Sequence, residues 1–141
     1  MILQPLKLLI VDDDLSWQRI YRFYLENQNL WLKTATDKDD ALQIIKQETF
    51  DIAVIDLRLV ADDDSNFDGV DVAKQIKQTS PMTRIVIKSG FTDDAKVTSE
   101  LEKLKPDGIF DKGKPIEEFV NAVLTIVHSL SSQKAKENHE Q

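Results

Sequence analysis

The sequence predicts an α/β domain built as a doubly wound, five-stranded parallel sheet with five helices. Two features of the chain carry that prediction. Short apolar runs such as "LLIV" and "IAVI" show no polar alternation, as expected of strands buried on both faces. Longer segments between them place apolar residues at helical spacing. Strict alternation of these two kinds of segment implies a parallel sheet with right-handed crossovers and helices on both faces.

Taken in order, Leu8 to Val11 is the first strand, and "LSWQRIYRFYLENQ" follows as a helix. Its Trp17, Ile20, Tyr21, Tyr24 and Leu25 recur at helical spacing, with Arg19, Arg22 and Glu26 between them. "LWLKTA" reads as the second strand. "DKDDALQIIKQ" is the second helix, acidic in its first turn and apolar at Ala41, Leu42 and Ile45. "FDIAVIDLRL" is a doubly buried third strand that ends in Asp56. After a polar loop, Val70, Ala73 and Ile76 mark a third helix, stopped by "TSP". "RIVIKSG" and "DDAKVTSELEKLK" form the fourth strand and helix. "DGIFDK" is a short fifth strand, and Pro115 opens a last helix carrying Ile116, Phe119, Val120, Val123, Ile126, Val127 and Leu130.

At 141 residues the chain suits one domain with one core, and 41% apolar and 30% charged residues are ordinary for a globular protein. The boundaries expected are a domain over 1–130 and a polar, disordered tail over 131–141. A net charge of −7 argues against direct nucleic-acid binding or an anionic membrane surface, both of which call for clustered Lys and Arg. No apolar run approaches the ~20 residues that span a bilayer. "MILQPLKLLIV" lacks a basic leader and a small-residue cleavage site, and the chain has no cysteine; the expected location is cytoplasmic.

Ligands of an open parallel sheet bind beyond the carboxyl ends of its strands, near the switch point in strand order. The first strand ends in Asp12 and Asp13, the third in Asp56, the fourth in Ser89 and Gly90, and the fifth near Lys112. Each has a plain structural explanation by itself. Asp13 or Asp14 serves as a helix cap, Asp56 as a strand end, Ser89-Gly90 as a turn, and Lys112 as a solvated charge. Their occurrence at successive strand ends in one register points instead to a shared site. Two carboxylates at ~4 Å repel by roughly 4 kcal/mol at an effective dielectric of ~20, so the acidic cluster calls for a cation. Hard oxygen ligands select Mg2+, and the chemistry suggested is phosphoryl transfer onto a carboxylate. Asp56 attacks, while Lys112 and Ser89 hold phosphoryl oxygens.

With these residues in view, the chain resembles the receiver domains of two-component response regulators, in a stand-alone, flavodoxin-like form. "LLIVDDD", "DIAVIDLRL…FDG", "RIVIKSG" and "GIFDKGKPIEEF" carry the likeness across about residues 6–130. The resemblance implies that Asp56 is the phosphoacceptor and that Asp12, Asp13, Asp56 and the Arg58 backbone carbonyl ligate Mg2+. It makes Ser89 the switch hydroxyl, Gly90 the small residue beside the phosphoryl group, and Lys112 the phosphoryl-binding lysine. It also assigns tuning of the phosphoryl lifetime to Arg58 and Phe91. Asp14 is left to begin the first helix.

The likeness has four departures. The loop after Asp56 lacks the usual Met-Pro and is longer, with Asp62 to Asp64 read as a solvated tip or a further cation or partner contact. A Lys-Pro pattern would choose Lys114, whereas Lys112 keeps "GIFDK" without a gap and is preferred. Ile109 then takes the usual switch aromatic position, and Phe110 faces the core. Lys88 replaces an apolar residue before Ser89, with its ammonium expected beside the fourth helix or its stem snorkelling past the sheet end.

The function implied is a phosphorylation-dependent signalling switch rather than an enzyme. A sensor histidine kinase or phosphotransfer protein is the donor, and a downstream protein target is the reader. Readout falls on the fourth helix, fifth strand and fifth helix, a face that also admits a homodimer. Two competing readings are a phosphorylation-independent binding module of the same fold and a small Mg2+-dependent phosphohydrolase. Arg58, where such hydrolases place a second acid, opposes the latter.

Overall fold

The computed structural model describes residues 5–57, 68–90 and 95–139. The elements follow in the predicted alternation: β1 (Leu6–Val11), α1 (Leu15–Leu25), β2 (Leu30–Ala35), α2 (Lys38–Gln47) and β3 (Ile52–Asp56), then α3 (Asp68–Thr79), β4 (Arg84–Ser89), α4 (Ala95–Leu104), β5 (Gly108–Asp111) and α5 (Ile116–His139). All strand pairs are parallel, in the order β2-β1-β3-β4-β5. The direction of strand addition therefore reverses between β1 and β3, which creates the crevice where ligands of such sheets sit.

Period-2 alternation sends successive side chains to opposite faces, so the central strands feed two cores. Leu9, Val11, Ala53, Ile55, Ile85 and Ile87 pack with Ile44 of α2, Val72 and Ile76 of α3, and Leu101 and Leu104 of α4. On the other face Leu8, Ile10, Ile52, Val54 and Val86 meet Tyr21 and Leu25 of α1 and Phe119, Val123 and Val127 of α5. Phe119 joins Tyr21 and Phe110 in an aromatic cluster, with ring centroids 5.3 and 4.8 Å away. Burying each such ring stabilises the fold by roughly 1.5–3 kcal/mol. As the register of β5 predicts, Phe110 is buried and Ile109 is exposed.

The carboxyl-terminal end departs from expectation. Instead of disorder from Ser131, α5 continues to His139. The segment after Leu130 contains neither Gly nor Pro and is rich in Gln, Lys, Ala and Glu, all good helix formers. Lys134 also reaches back to the start of β3, its Nζ lying 3.1 Å from Asp51 Oδ1. Among the described residues no helix is long and apolar enough to cross a membrane.

Candidate functional site at the carboxyl edge of the sheet

The hydrogen-bond ladder runs one residue past the strand ends and fixes the backbone that carries the acidic side chains. Asp12 N–H donates to Ala35 O at 3.0 Å, Leu57 N–H to Lys88 O at 2.9 Å, and Lys112 N–H to Ser89 O at 3.0 Å. Asp12, Asp56 and Lys88 share strand parity with Ile10, Val54 and Val86, so all three side chains start on the α1/α5 side of the sheet. Asp12, Asp13 and Asp56 each offer a carboxylate oxygen, and these atoms lie within 4.8 Å of one another. Three hard oxygen donors at this spacing fit a divalent cation of the magnesium class, which takes few protein carboxylates and keeps its other positions for water and phosphate oxygens.

Lys112 stands over the third of these acids. Its Nζ lies 2.9 Å from both Oδ1 and Oδ2 of Asp56, a charge-assisted pair at the end of β3. Lys114, the other candidate, is exposed in the following turn, where its N–H donates to Asp111 O at 3.0 Å. Gly90 borders the Lys112 stem, and a Cβ there would meet Lys112 Cδ at an ordinary 3.6 Å. Ser89 is buried at the end of β4, opposite Asp111 of β5. Burial pushes the Asp56 carboxyl up to about 6, opposed by the Lys112 hydrogen bond and reinforced by the Asp12 charge.

The neighbourhood of Asp12 was not foreseen. Lys88 neither faces the exposed side of α4 nor snorkels; it is 0% exposed, and its Nζ donates to Asp12 Oδ2 at 2.6 Å. The ammonium also sits 3.5 Å from the centroid of the Trp17 ring and 5.0 Å from that of Tyr21. Tyr21 OH donates to the same Asp12 oxygen at 3.1 Å, while Asp14 N–H donates to Oδ1 at 2.9 Å. Gln18 Nε2 donates to the Asp12 carbonyl at 2.8 Å. Burial pulls the Lys88 ammonium down from the ordinary lysine range, against the raising effect of Asp12. Burial, with Asp12 beside it, drives the Tyr21 phenol far up. The sequence held one clue to this arrangement. A lysine inside a doubly buried strand needs a carboxylate partner, and of the two central strands before β4, β1 is followed directly by Asp12 and β3 ends in Asp56.

Asp14 takes the local role, its Oδ1 accepting from Ser16 N–H at 2.8 Å and Trp17 N–H at 3.4 Å to cap α1. The Asp triplet thus divides between cluster and cap. Arg58, Phe91 and the Asp62–Asp64 run lie outside the described residues.

A profile of the response regulator receiver domain matches residues 8–124. The alginate biosynthesis transcriptional regulatory protein AlgB of Pseudomonas aeruginosa is 32% identical over 81 residues, covering 57% of this chain and 17% of that protein. The transcriptional regulatory protein ZraR of Klebsiella oxytoca is 24% identical over 135 residues, covering 96% of this chain and 28% of that one. The chain thus spans less than a third of the length of either relative. Among solved structures, the signal receiver domain of an HD domain-containing protein from Pseudomonas fluorescens Pf-5 superposes with a TM-score of 0.78 at 18% identity, covering 96% of each chain. At that identity the likeness speaks for the fold alone.

Proposed function

We propose, from the premise that this chain belongs to the response regulator receiver domain family of two-component systems, that Asp56 accepts a phosphoryl group and that its charge switches partner binding. The observation that carries this reading is the Lys112 ammonium, 2.9 Å from both Asp56 carboxylate oxygens beside the Asp12/Asp13 acids. An Asp56 oxygen attacks phosphorus as the bond to the donor breaks, and the electron pair of that bond leaves with the donor's imidazole. Lys112 orients the Asp56 carboxylate before transfer and pairs with the phosphoryl oxygens after it. Ser89, at the neighbouring strand end, donates its hydroxyl to the same group. Asp12, Asp13, Asp56 and the Arg58 carbonyl would hold Mg2+, which would offset the charge of the transferring group.

The donor is a sensor histidine kinase or a phosphotransfer protein. The new group adds up to about two negative charges, and movement of Ser89 and Lys112 toward it shifts the α4, β5 and α5 surface between two states. A downstream protein target reads that surface, which also serves a homodimer. Bulky Arg58 and Phe91 slow the attack of water on the aspartyl phosphate.

Incubation with a small-molecule phosphodonor and Mg2+ tests the reading. Wild type should take up a hydroxylamine-sensitive phosphoryl label, and Asp56→Asn should not. A chase of that label should decay faster in Arg58→Ala/Phe91→Ala than in wild type. Equal labelling of wild type and Asp56→Asn would overturn the assignment.

A further inference from the structure

A fully buried lysine is costly unless its charge is met, so the placement of Lys88 within the acidic site needs a reason. Asp12 has about four lone-pair directions, and three donors already use its carboxylate: Asp14 N–H on Oδ1, and Tyr21 OH and Lys88 Nζ on Oδ2. The shortest of these contacts, at 2.6 Å, comes from the one donor with a full positive charge. The ammonium is also held from behind by the Trp17 face, 3.5 Å from its centroid, and by the Tyr21 ring at 5.0 Å. Lys88 is therefore seated in a pocket shaped for a cation, with Asp12 on one side and aromatic rings on the other.

We infer that Lys88 is a tethered counter-cation of the acidic cluster, which satisfies Asp12 in the metal-free protein and thereby weakens binding of a divalent ion at Asp12, Asp13 and Asp56. The inference rests on the proposed role of these acids as a Mg2+ site. A divalent ion entering the cluster meets an ammonium at hydrogen-bond distance from one of its own ligands, and like charges at such separation repel strongly away from bulk water. It also shares Asp12 with a donor that already accounts for much of the carboxylate's charge. The aromatic wall keeps Lys88 from leaving when the ion arrives, so the repulsion persists in the bound state. Lys88 thus sets the Mg2+ concentration at which the site fills, and does so without being a ligand.

The test is a Mg2+ titration followed by Trp17 fluorescence in a Trp31→Phe background, with isothermal titration calorimetry as the independent readout. Lys88→Met removes the charge at similar volume, and Lys88→Gln removes it while retaining an N–H donor for Asp12. Both variants should bind Mg2+ at least about tenfold more tightly than the parent. Mg2+ should also raise their Tm by more than it raises that of the parent, because ligand stabilisation grows with [L]/Kd. A Lys88→Met protein that folds only when Mg2+ is added supports the inference. If Lys88→Met folds under no condition, Lys88→Gln decides. Affinities in the folded variants equal to or weaker than the parent's would overturn it, as would absence of any Mg2+ response in all three proteins. Labelling of Asp56 is scored separately: a tighter Mg2+ site without labelling would sink the phosphoacceptor reading alone, and labelling with unchanged Mg2+ affinity would sink the Lys88 inference alone.

Discussion

Gly69→Ala should be among the most damaging single-methyl additions to this protein. Gly69 begins the second residue of α3, where its N–H donates to Leu57 O at 3.1 Å and its Cα packs against the end of β3. A Cβ added there would fall 2.0 Å from Asp56 O and 2.8 Å from both Leu57 Cα and Leu57 O. The shortest of these is roughly 1.4 Å inside ordinary contact, and because all three atoms are backbone there is no rotamer to yield. Overpacking of this kind costs about 3 kcal/mol, at the upper end of its usual range. Losing the Gly69–Leu57 bond adds about 1 kcal/mol. The better helix propensity of Ala returns about 1 kcal/mol. The net is a loss of about 3 kcal/mol, or about 10 °C in Tm for a domain of this size. Urea unfolding and thermal melts followed by circular dichroism measure it directly. Gly90→Ala is the control, because among the described residues its Cβ meets only the Lys112 stem, at 3.6 Å, and its stability should stay within about 1 kcal/mol of wild type. The closest of the displaced atoms is the Asp56 carbonyl oxygen, so Gly69→Ala should also lower phosphoryl labelling. A Gly69→Ala protein as stable as Gly90→Ala would refute the close-approach reasoning.

Two other predictions separate neighbouring carboxylates. Asp14→Ala should cost about 1 kcal/mol through loss of the α1 cap and leave Mg2+ affinity unchanged, since its Oδ1 is engaged by Ser16 and Trp17 amides; a loss of Mg2+ binding in this variant would move the cluster boundary from Asp13 to Asp14. The second concerns pH. Burial raises Asp56 to about 6 from an ordinary value of 3.8, so between these two pH values the metal-free folded protein holds a proton there that the unfolded chain has released. Its contribution to stability is fully present below about 3.8 and is lost as pH rises through about 6. Asp56→Asn does not titrate, so in chelator its stability advantage over wild type should grow from pH about 4.5 to about 7.5, by no more than about 3 kcal/mol. Urea unfolding at the two pH values measures that difference, and a difference that stays constant or shrinks would contradict the direction of the Asp56 shift.

The sequence alone determined the alternation of elements, because doubly buried parallel strands and amphipathic helices differ in hydrophobic period and need no partner to be recognised. The strand-end positions of Asp12, Asp13, Asp56, Ser89 and Lys112 were legible for the same reason: once the strands are set, their ends lie on one edge. The cap at Asp14 was local, decided by amides two and three residues onward. Composition misled at the tail, where a polar segment with no apolar stripe reads as disorder. There the intrinsic propensity of "QKAKEN" and the Lys134–Asp51 pair extend α5 instead. The sequence already favours Lys112 over Lys114, since Lys112 keeps "GIFDK" without a gap, and the pairing of β5 with β4 is what carries its ammonium to Asp56. Lys88 depended most on tertiary structure. Hydropathy places a lysine in water, and only a carboxylate 76 residues away together with the faces of Trp17 and Tyr21 makes burial of its charge tolerable. Local chemistry wrote the acids into the strand ends; long-range packing decided which cation meets them.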